Sequence, residues 1–362
     1  MRTQSERHHN ISQFVLSNFL TCGGLVRWPR GQGEDLWLIW EGQSAESCEL
    51  SVFNSDFFLS SKCHVSPQKW TSLTTPELTA WLDCHNNKKS PSPKRSWTKL
   101  SDGEEKEQFL NSFCEIQRRI EKGLLEKAVP VTFMTSPMPL GPQEHLELIQ
   151  RLIYAPPELH PYGHWDSGVG FMGATPEILF NVDGHRLRTM ALAGTAPLNR
   201  ESGSFLNDPK ERAEHYFVVK NLMDVLKPLG SFEAMATEVL KLPTLQHLKT
   251  EIGVHLNQQM SWNQLLQTMH PTAALGTYPR EQWRWLRELP DQRARGPFGA
   301  PFGVQNQDGH LLCLVGIRQV QWDQQKMRIG AGCGLVKESI FEREWNELLL
   351  KIESVQRNFG WN

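Results

Sequence analysis

The chain has 362 residues, 39% hydrophobic and 22% charged, with a formal net charge of −2. That profile belongs to a globular protein long enough to bury a large core. Its near-neutral balance excludes the electrostatic footprint of a nucleic-acid binder or of a protein drawn to anionic membranes. No run approaches the ~18 consecutive apolar residues of a membrane span, and the opening "MRTQSERHHNISQF" lacks the apolar stretch of a secretory signal. The seven cysteines, Cys22, Cys48, Cys63, Cys84, Cys114, Cys313 and Cys333, form no CxxC pair. This points to a reduced, cytoplasmic compartment rather than a disulfide framework or a zinc site.

The N-terminal part alternates in places, as in "LWLIWEG", and reads as strands with some helix. A polar, Ser- and Pro-rich stretch from Cys84 to Gln108 reads as a linker between it and the remaining two thirds. Next, "EQFLNSFCEIQRRIEKGLLEK" has the 3.6-residue apolar period of a helix, with Lys127 at its junction with the strand "AVPVTF". "GVGFMGATPEILFNVDGHRLRTMALAG" predicts strand, turn, strand, a hairpin at "VDGH", and a further strand. "PKERAEHYFVVKNLMDVLKPLG" predicts a helix stopped at Gly230. "HLLCLVGIRQVQWDQQKMRIGAG" predicts two antiparallel strands about "DQQK", with Arg318 inside the first. "FEREWNELLLK" predicts a closing helix. Strand pairs interleaved with helices, without strict βαβ alternation, give an α+β class, an α/β sandwich of antiparallel sheets with helices outside.

Simple signatures are absent: there is no GxGxxG, no P-loop, no HExxH and no GxSxG. The informative residues are charges in unusual settings. Glu344, Glu347 and Lys351 share one face of the last helix, while Phe341, Trp345, Leu348 and Ile352 fill the other. Glu211 and Glu214 share a face of the helix begun by "KERAEH". A solvated acidic edge is the commoner meaning of each cluster. The alternative is a hard-cation site, because Mg²⁺ takes oxygen ligands and typically one or two carboxylates. Glu177 starts an apolar strand: a strand-end Glu facing water is the commoner case, and the alternative is burial, which would hold its carboxyl protonated as a general acid requires. Lys127 is a lone charge before an apolar run: a helix C-terminal lysine complementing the dipole is the commoner case, and the alternative is a desolvated amine that can serve as a base. The fork-shaped guanidinium of Arg318 suits bidentate capture of a carboxylate. The glycine turns "ALAGTAP" and "GAGCGLV" bring backbone N–H groups close to any such anion.

In order along the chain, "EKAV", "GATPEILF", "ALAGT", "KERAEH", "HLKTEI", "HPTAALGTYPRE", "GPFGAPFGV", "VGIRQV", "GAGCGLV" and "EREWNELLLK" resemble the chorismate-utilising enzymes. That family includes isochorismate, salicylate, anthranilate and aminodeoxychorismate synthases. The resemblance covers residues 110 to 355, with 1–100 a divergent N-terminal subregion and 105–358 a catalytic core within one chorismate-binding unit spanning 1–362. It implies Mg²⁺ held by Glu214 and Glu347, with Glu344 assisting through water, clamping the ring carboxylate of chorismate. It implies that Arg318, Lys351 and the Gly332 backbone grip the enolpyruvyl carboxylate, and that Gly194, Thr195 and His247 stand near the ring. Lys127, where anthranilate synthases carry Gln, and Ala193, where aminodeoxychorismate synthases tend to carry Lys, resemble the water-adding branch. Leu275 and Phe298 resemble isochorismate more than salicylate synthases. The implied reaction is reversible and Mg²⁺-dependent. Lys127 activates water for attack at C2, and Glu177 protonates the departing C4 hydroxyl. The product would feed menaquinone or siderophore assembly, with no glutaminase partner and a monomer or weak dimer as the working state. Salicylate synthesis, an anthranilate- or aminodeoxychorismate-type reaction, and a non-catalytic binding role are the alternatives. "KERAEH" departs from the commoner "KDRxEH", and "KAVPVTF" from "KVVLAR".

Overall fold

The computed structural model describes residues 10–29, 34–44, 46, 49–85, 94–98, 100, 103–290 and 292–361. Much of the proposed linker, along with residues 1–9 and Cys48, lies outside the described residues. Two antiparallel sheets dominate the molecule. The first has eight strands, in the order Lys69–Leu73, Leu36–Glu41, Cys22–Trp28, His160–Asp166, Val169–Thr175, Gln319–Trp322, Met327–Gly332 and Val131–Ser136. The second runs Gly230–Ala234, Leu245–Leu256, Arg186–Pro197, Ile178–Asp183, Leu311–Val315, Pro301–Gln305, Ser51–Ser55 and Lys62–Val65, with Glu238–Lys241 also pairing to Leu245–Leu256. Residues before position 100 therefore extend both sheets. Between the sheets lies an aromatic core that includes Trp40, Tyr162, Phe171, Phe302 and Leu314, drawn from strands of both.

The chain crosses from one sheet to the other twice at the same place. Val169–Thr175 passes to Ile178–Asp183 through Pro176 and Glu177, and Leu311–Val315 passes to Gln319–Trp322 through Gly316, Ile317 and Arg318. The crossings are stitched together. The Val315 N–H donates to the Glu177 carbonyl at 3.1 Å, and the Ala174 N–H to the Arg318 carbonyl at 3.3 Å. Arg318 is thus not inside a strand, as its apolar neighbours suggest. The strand breaks there, and Arg318 takes φ 54, a left-handed conformation costly for a non-glycine residue. Where two sheets part, side chains at the crossings face neither sheet and are free to line a cavity.

Two helices close this end. Pro209–Leu226 starts on Asp208, whose carboxylate caps the Lys210 and Glu211 N–H groups at 2.9 and 3.1 Å, with Pro209 in the first turn. Phe341–Phe359 ends at Gly360 in the left-handed conformation. Its apolar face packs Phe341 and Trp345 against Phe109. The helix before Lys127 ends at Glu121, short of the sequence expectation, because Gly123 adopts φ 68 and turns the chain. Lys127 consequently opens a two-residue strand, Lys127–Ala128, paired with Thr277–Tyr278. No helix among the described residues is long and apolar enough to cross a membrane.

Candidate active site

One cavity opens where the sheets part. It is lined by Glu177, Ala193, Gly194, Thr195, Glu214, His247, Leu275, Phe298, Arg318, Gly332 and Lys351, together with Pro176, Leu192, Ala274, Ile317 and Gly334. Residues from nine separated stretches of sequence meet there. Lys127, Glu344 and Glu347 stand behind its wall rather than on it. Lys127 Nζ is 3.5 Å from Glu214 Oε1, and the Lys210 ammonium bridges Glu214 to Glu344 and Glu347.

Glu177 is 4% exposed, not the solvated strand end that its residue type favours. Burial drives its carboxyl up to about 8, only partly offset by the positive charges of Lys127 and Lys351. Lys127 is fully buried, and desolvation lowers its ammonium from the ordinary value against the pull of Glu214. Its amine donates to the Ala273 carbonyl at 2.7 Å. That carbonyl is set by its own residue's N–H, which donates to the buried Asn221 at 2.9 Å. Burial thus shifts Lys127 downward and Glu177 upward, each in the direction of its uncharged form.

The basic side is built from Arg318, His247 and Lys351. Nδ1–H of His247 donates to the Gly194 carbonyl at 2.9 Å, leaving Nε2 to accept from Arg318 at 2.9 Å. Burial and the adjacent guanidinium hold this imidazole neutral, near 3. The second terminal nitrogen of Arg318, Nη1, is buried without a partner. Lys351 donates to the Gly332 carbonyl at 2.7 Å and to Glu347 at 2.6 Å. Gly194 forms a bulge in its strand at φ 75, and the following Thr195 N–H donates to Glu211 at 2.9 Å. The Glu that replaces the commoner Asp in "KERAEH" thus serves the bulge.

The acidic side gathers Glu214, Glu344, Glu347 and Glu211 around one cation, the Lys210 ammonium. Burial raises Glu214, but the ammoniums of Lys210, Lys127 and Lys351 outweigh it and bring the carboxyl to about 2. Burial takes Glu344 up to about 7, and its Oε2 has no partner. Among the described residues, no three ligand side chains already form a metal-ready array. The donors are nevertheless of the right chemistry. They are all carboxylate oxygens, they converge on a positive charge, and one oxygen is unsatisfied, which suits a hard divalent cation.

Three features escape the sequence. Lys210 carries no signal beyond its motif, and Ala273 contributes only a carbonyl. Gly334 is required by contact, since a Cβ there would lie 2.1 Å from Glu214 Oε1 and 2.6 Å from Lys127 Cε.

A family model described as "Chorismate binding enzyme" matches residues 21–360. The chain is 26% identical over 349 residues to the salicylate biosynthesis isochorismate synthase of Pseudomonas aeruginosa, covering 92% of this chain and 73% of that protein. It is 31% identical over 204 residues to isochorismate synthase EntC of Escherichia coli K12, covering 54% of this chain and 52% of that protein. The match thus spans about half the length of that second relative. The solved structure of MenF, the menaquinone-specific isochorismate synthase from Escherichia coli, superposes with a TM-score of 0.75 at 19% identity, over 96% of this chain and 91% of that one. That likeness shows the shared fold. The chain belongs to the chorismate binding enzyme family.

Proposed function

We propose that this protein is an isochorismate synthase, converting chorismate reversibly to isochorismate. The observation that carries the reading is the burial of Lys127 and Glu177, Glu177 on the cavity wall and Lys127 behind it, which shifts the amine downward and the acid upward, each toward its neutral form. A neutral amine can take a proton from water, and a neutral carboxyl can give one to a leaving hydroxyl. In the forward direction water adds to C2, the ring double bonds shift, and the C4 hydroxyl departs as water with the proton from Glu177. Lys127 ends protonated and Glu177 ionised, and exchange with solvent restores both. Each group contributes ~10²–10⁴-fold, and orientation of the ring supplies much of the remainder.

Arg318 and Lys351 would hold the enolpyruvyl carboxylate, using the unpartnered guanidinium nitrogen. Glu214 and Glu347, with Glu344, would hold Mg²⁺, which when bound supplies positive charge for the ring carboxylate. Ala193 supplies no amine nucleophile at its own position in the ring pocket, and Leu275 and Phe298 wall the pocket with apolar surface. Water as nucleophile requires no ammonia-supplying partner.

The test is product identification. Chorismate, MgCl₂ and the purified protein are incubated with and without ammonium, then separated by reversed-phase chromatography. Isochorismate alone supports the reading. Salicylate with pyruvate would assign a salicylate synthase, an aminated product would assign the ammonia-using branch, and no turnover would leave a binding role.

A further inference from the structure

Lys210 lies at the centre of the acidic side. Its ammonium nitrogen is 3.0 Å from Glu214 Oε2, 3.2 Å from Glu344 Oε1, 3.5 Å from Glu211 Oε1 and 3.6 Å from Glu347 Oε2. Glu344 and Glu214 are 1% and 4% exposed. Four carboxylates packed this closely repel one another unless a cation sits among them. The neighbouring lysines do not fill that place. Lys351 reaches Glu347 and the Gly332 carbonyl, and Lys127 reaches Glu214 and the Ala273 carbonyl.

We infer that Lys210 is the resident cation of the metal-free protein, and that a divalent cation binds by exchange with its ammonium. The inference rests on the metal reading above and adds to it. Mg²⁺ sits about 2.0–2.1 Å from its oxygen ligands. An ion held at that distance from the same oxygens that surround Nζ lies inside van der Waals contact of the nitrogen, and both are positive. The ammonium must swing away, and the start of the helix at Pro209 puts solvent within its reach. Exchange also selects by charge. A monovalent ion brings no more charge than the ammonium it displaces, whereas a divalent ion brings one more. The lysine keeps the carboxylates neutralised between metal-binding events and weakens the apparent affinity for the ion.

The test compares wild type, Lys210→Met and Lys210→Arg, with Mn²⁺ as the probe and loss of its free EPR signal as the readout. Lys210→Met should bind Mn²⁺ at least about tenfold more tightly than wild type, because one competing charge is gone. Lys210→Arg, which keeps the charge, should stay within about threefold of wild type. The metal-free melting temperature of Lys210→Met should fall and recover with Mn²⁺. A second readout needs no variant: acetic anhydride labelling of Lys210 in the wild type, followed by peptide mass spectrometry, should rise when Mn²⁺ is added. Where Lys210→Met folds, its affinity decides. Where it does not fold, the labelling decides. Mn²⁺ bound no more tightly by Lys210→Met, or Lys210 labelling unchanged or lowered by Mn²⁺, would overturn the exchange while leaving the metal reading standing. No Mn²⁺ binding by either wild type or Lys210→Met would overturn the metal reading and the exchange together.

Discussion

One terminal nitrogen of Arg318 donates to Nε2 of His247 at 2.9 Å, while the other is buried without a partner. A buried donor left unsatisfied costs about 1–3 kcal/mol. The residue also holds φ 54. Strain and an open donor at one sheet crossing are the features of a group prepared for an anion. Arg318→Met should raise KM for chorismate by at least about tenfold, the cost of a lost charge-assisted hydrogen bond. His247→Ala should raise KM less, since it loosens the guanidinium without removing it. Steady-state kinetics reads both, and an unchanged KM in Arg318→Met would remove Arg318 from the substrate site.

The proposed acid and base should set a bell-shaped pH profile. The proposed base Lys127 acts in its neutral form, so activity should rise as pH climbs through its burial-lowered value. The proposed acid Glu177 acts protonated, so activity should fall as pH passes about 8. A profile of kcat/KM that keeps climbing beyond pH 9 would argue against Glu177 as the acid.

Glu177 also costs stability. Its folded-state value is raised, so its contribution to folding is most favourable below the ordinary 4.5 and is lost as pH rises toward about 8. Keeping it protonated at pH 7 costs about 3 kcal/mol. Glu177→Gln, which copies the neutral shape, should therefore melt higher than wild type at pH 7–8, with the gap closing near pH 5. Its activity should drop by ~10²–10⁴-fold. Melting curves across this range check the first part, and an equal or lower melting temperature at pH 8 would contradict it.

Glu347 touches both Lys351 and the Lys210 cluster, at 2.6 and 3.6 Å. Glu347→Ala and Glu214→Ala should each abolish the rise in melting temperature on adding MgCl₂ and with it Mg²⁺-dependent turnover. A Glu214→Ala, Glu347→Ala double variant that remains active with Mg²⁺ would remove these carboxylates from metal binding.

Periodicity and turn chemistry made most of the elements legible. The hairpin at Asp183–Gly184, the capped helix at Asp208 and the last helix stand as the residue pattern implies. The motifs also placed most of the pocket lining. The sheet crossing at Arg318 was not legible, because "LLCLVGI" runs apolar right up to Arg318 and a break between two sheets leaves no period. The burial of Glu177 was not legible either, since it depends on a second crossing more than 130 positions away. Lys210 was hidden for a different reason. A lysine beside two glutamates reads as a surface pair, and only the arrival of Glu344 and Glu347 from the C-terminal helix makes it the centre of a buried cluster.

The central claim is that water enters at C2 as the C4 hydroxyl leaves, driven by Lys127 and Glu177. Turnover of chorismate in H₂¹⁸O, read by mass spectrometry of the ring product over the first few per cent of reaction, tests it most directly. The account predicts isochorismate carrying one ¹⁸O, located at C2, with that product lost in Lys127→Gln. Isochorismate formed without ¹⁸O, or labelled product formed at the wild-type rate by Lys127→Gln, would contradict it.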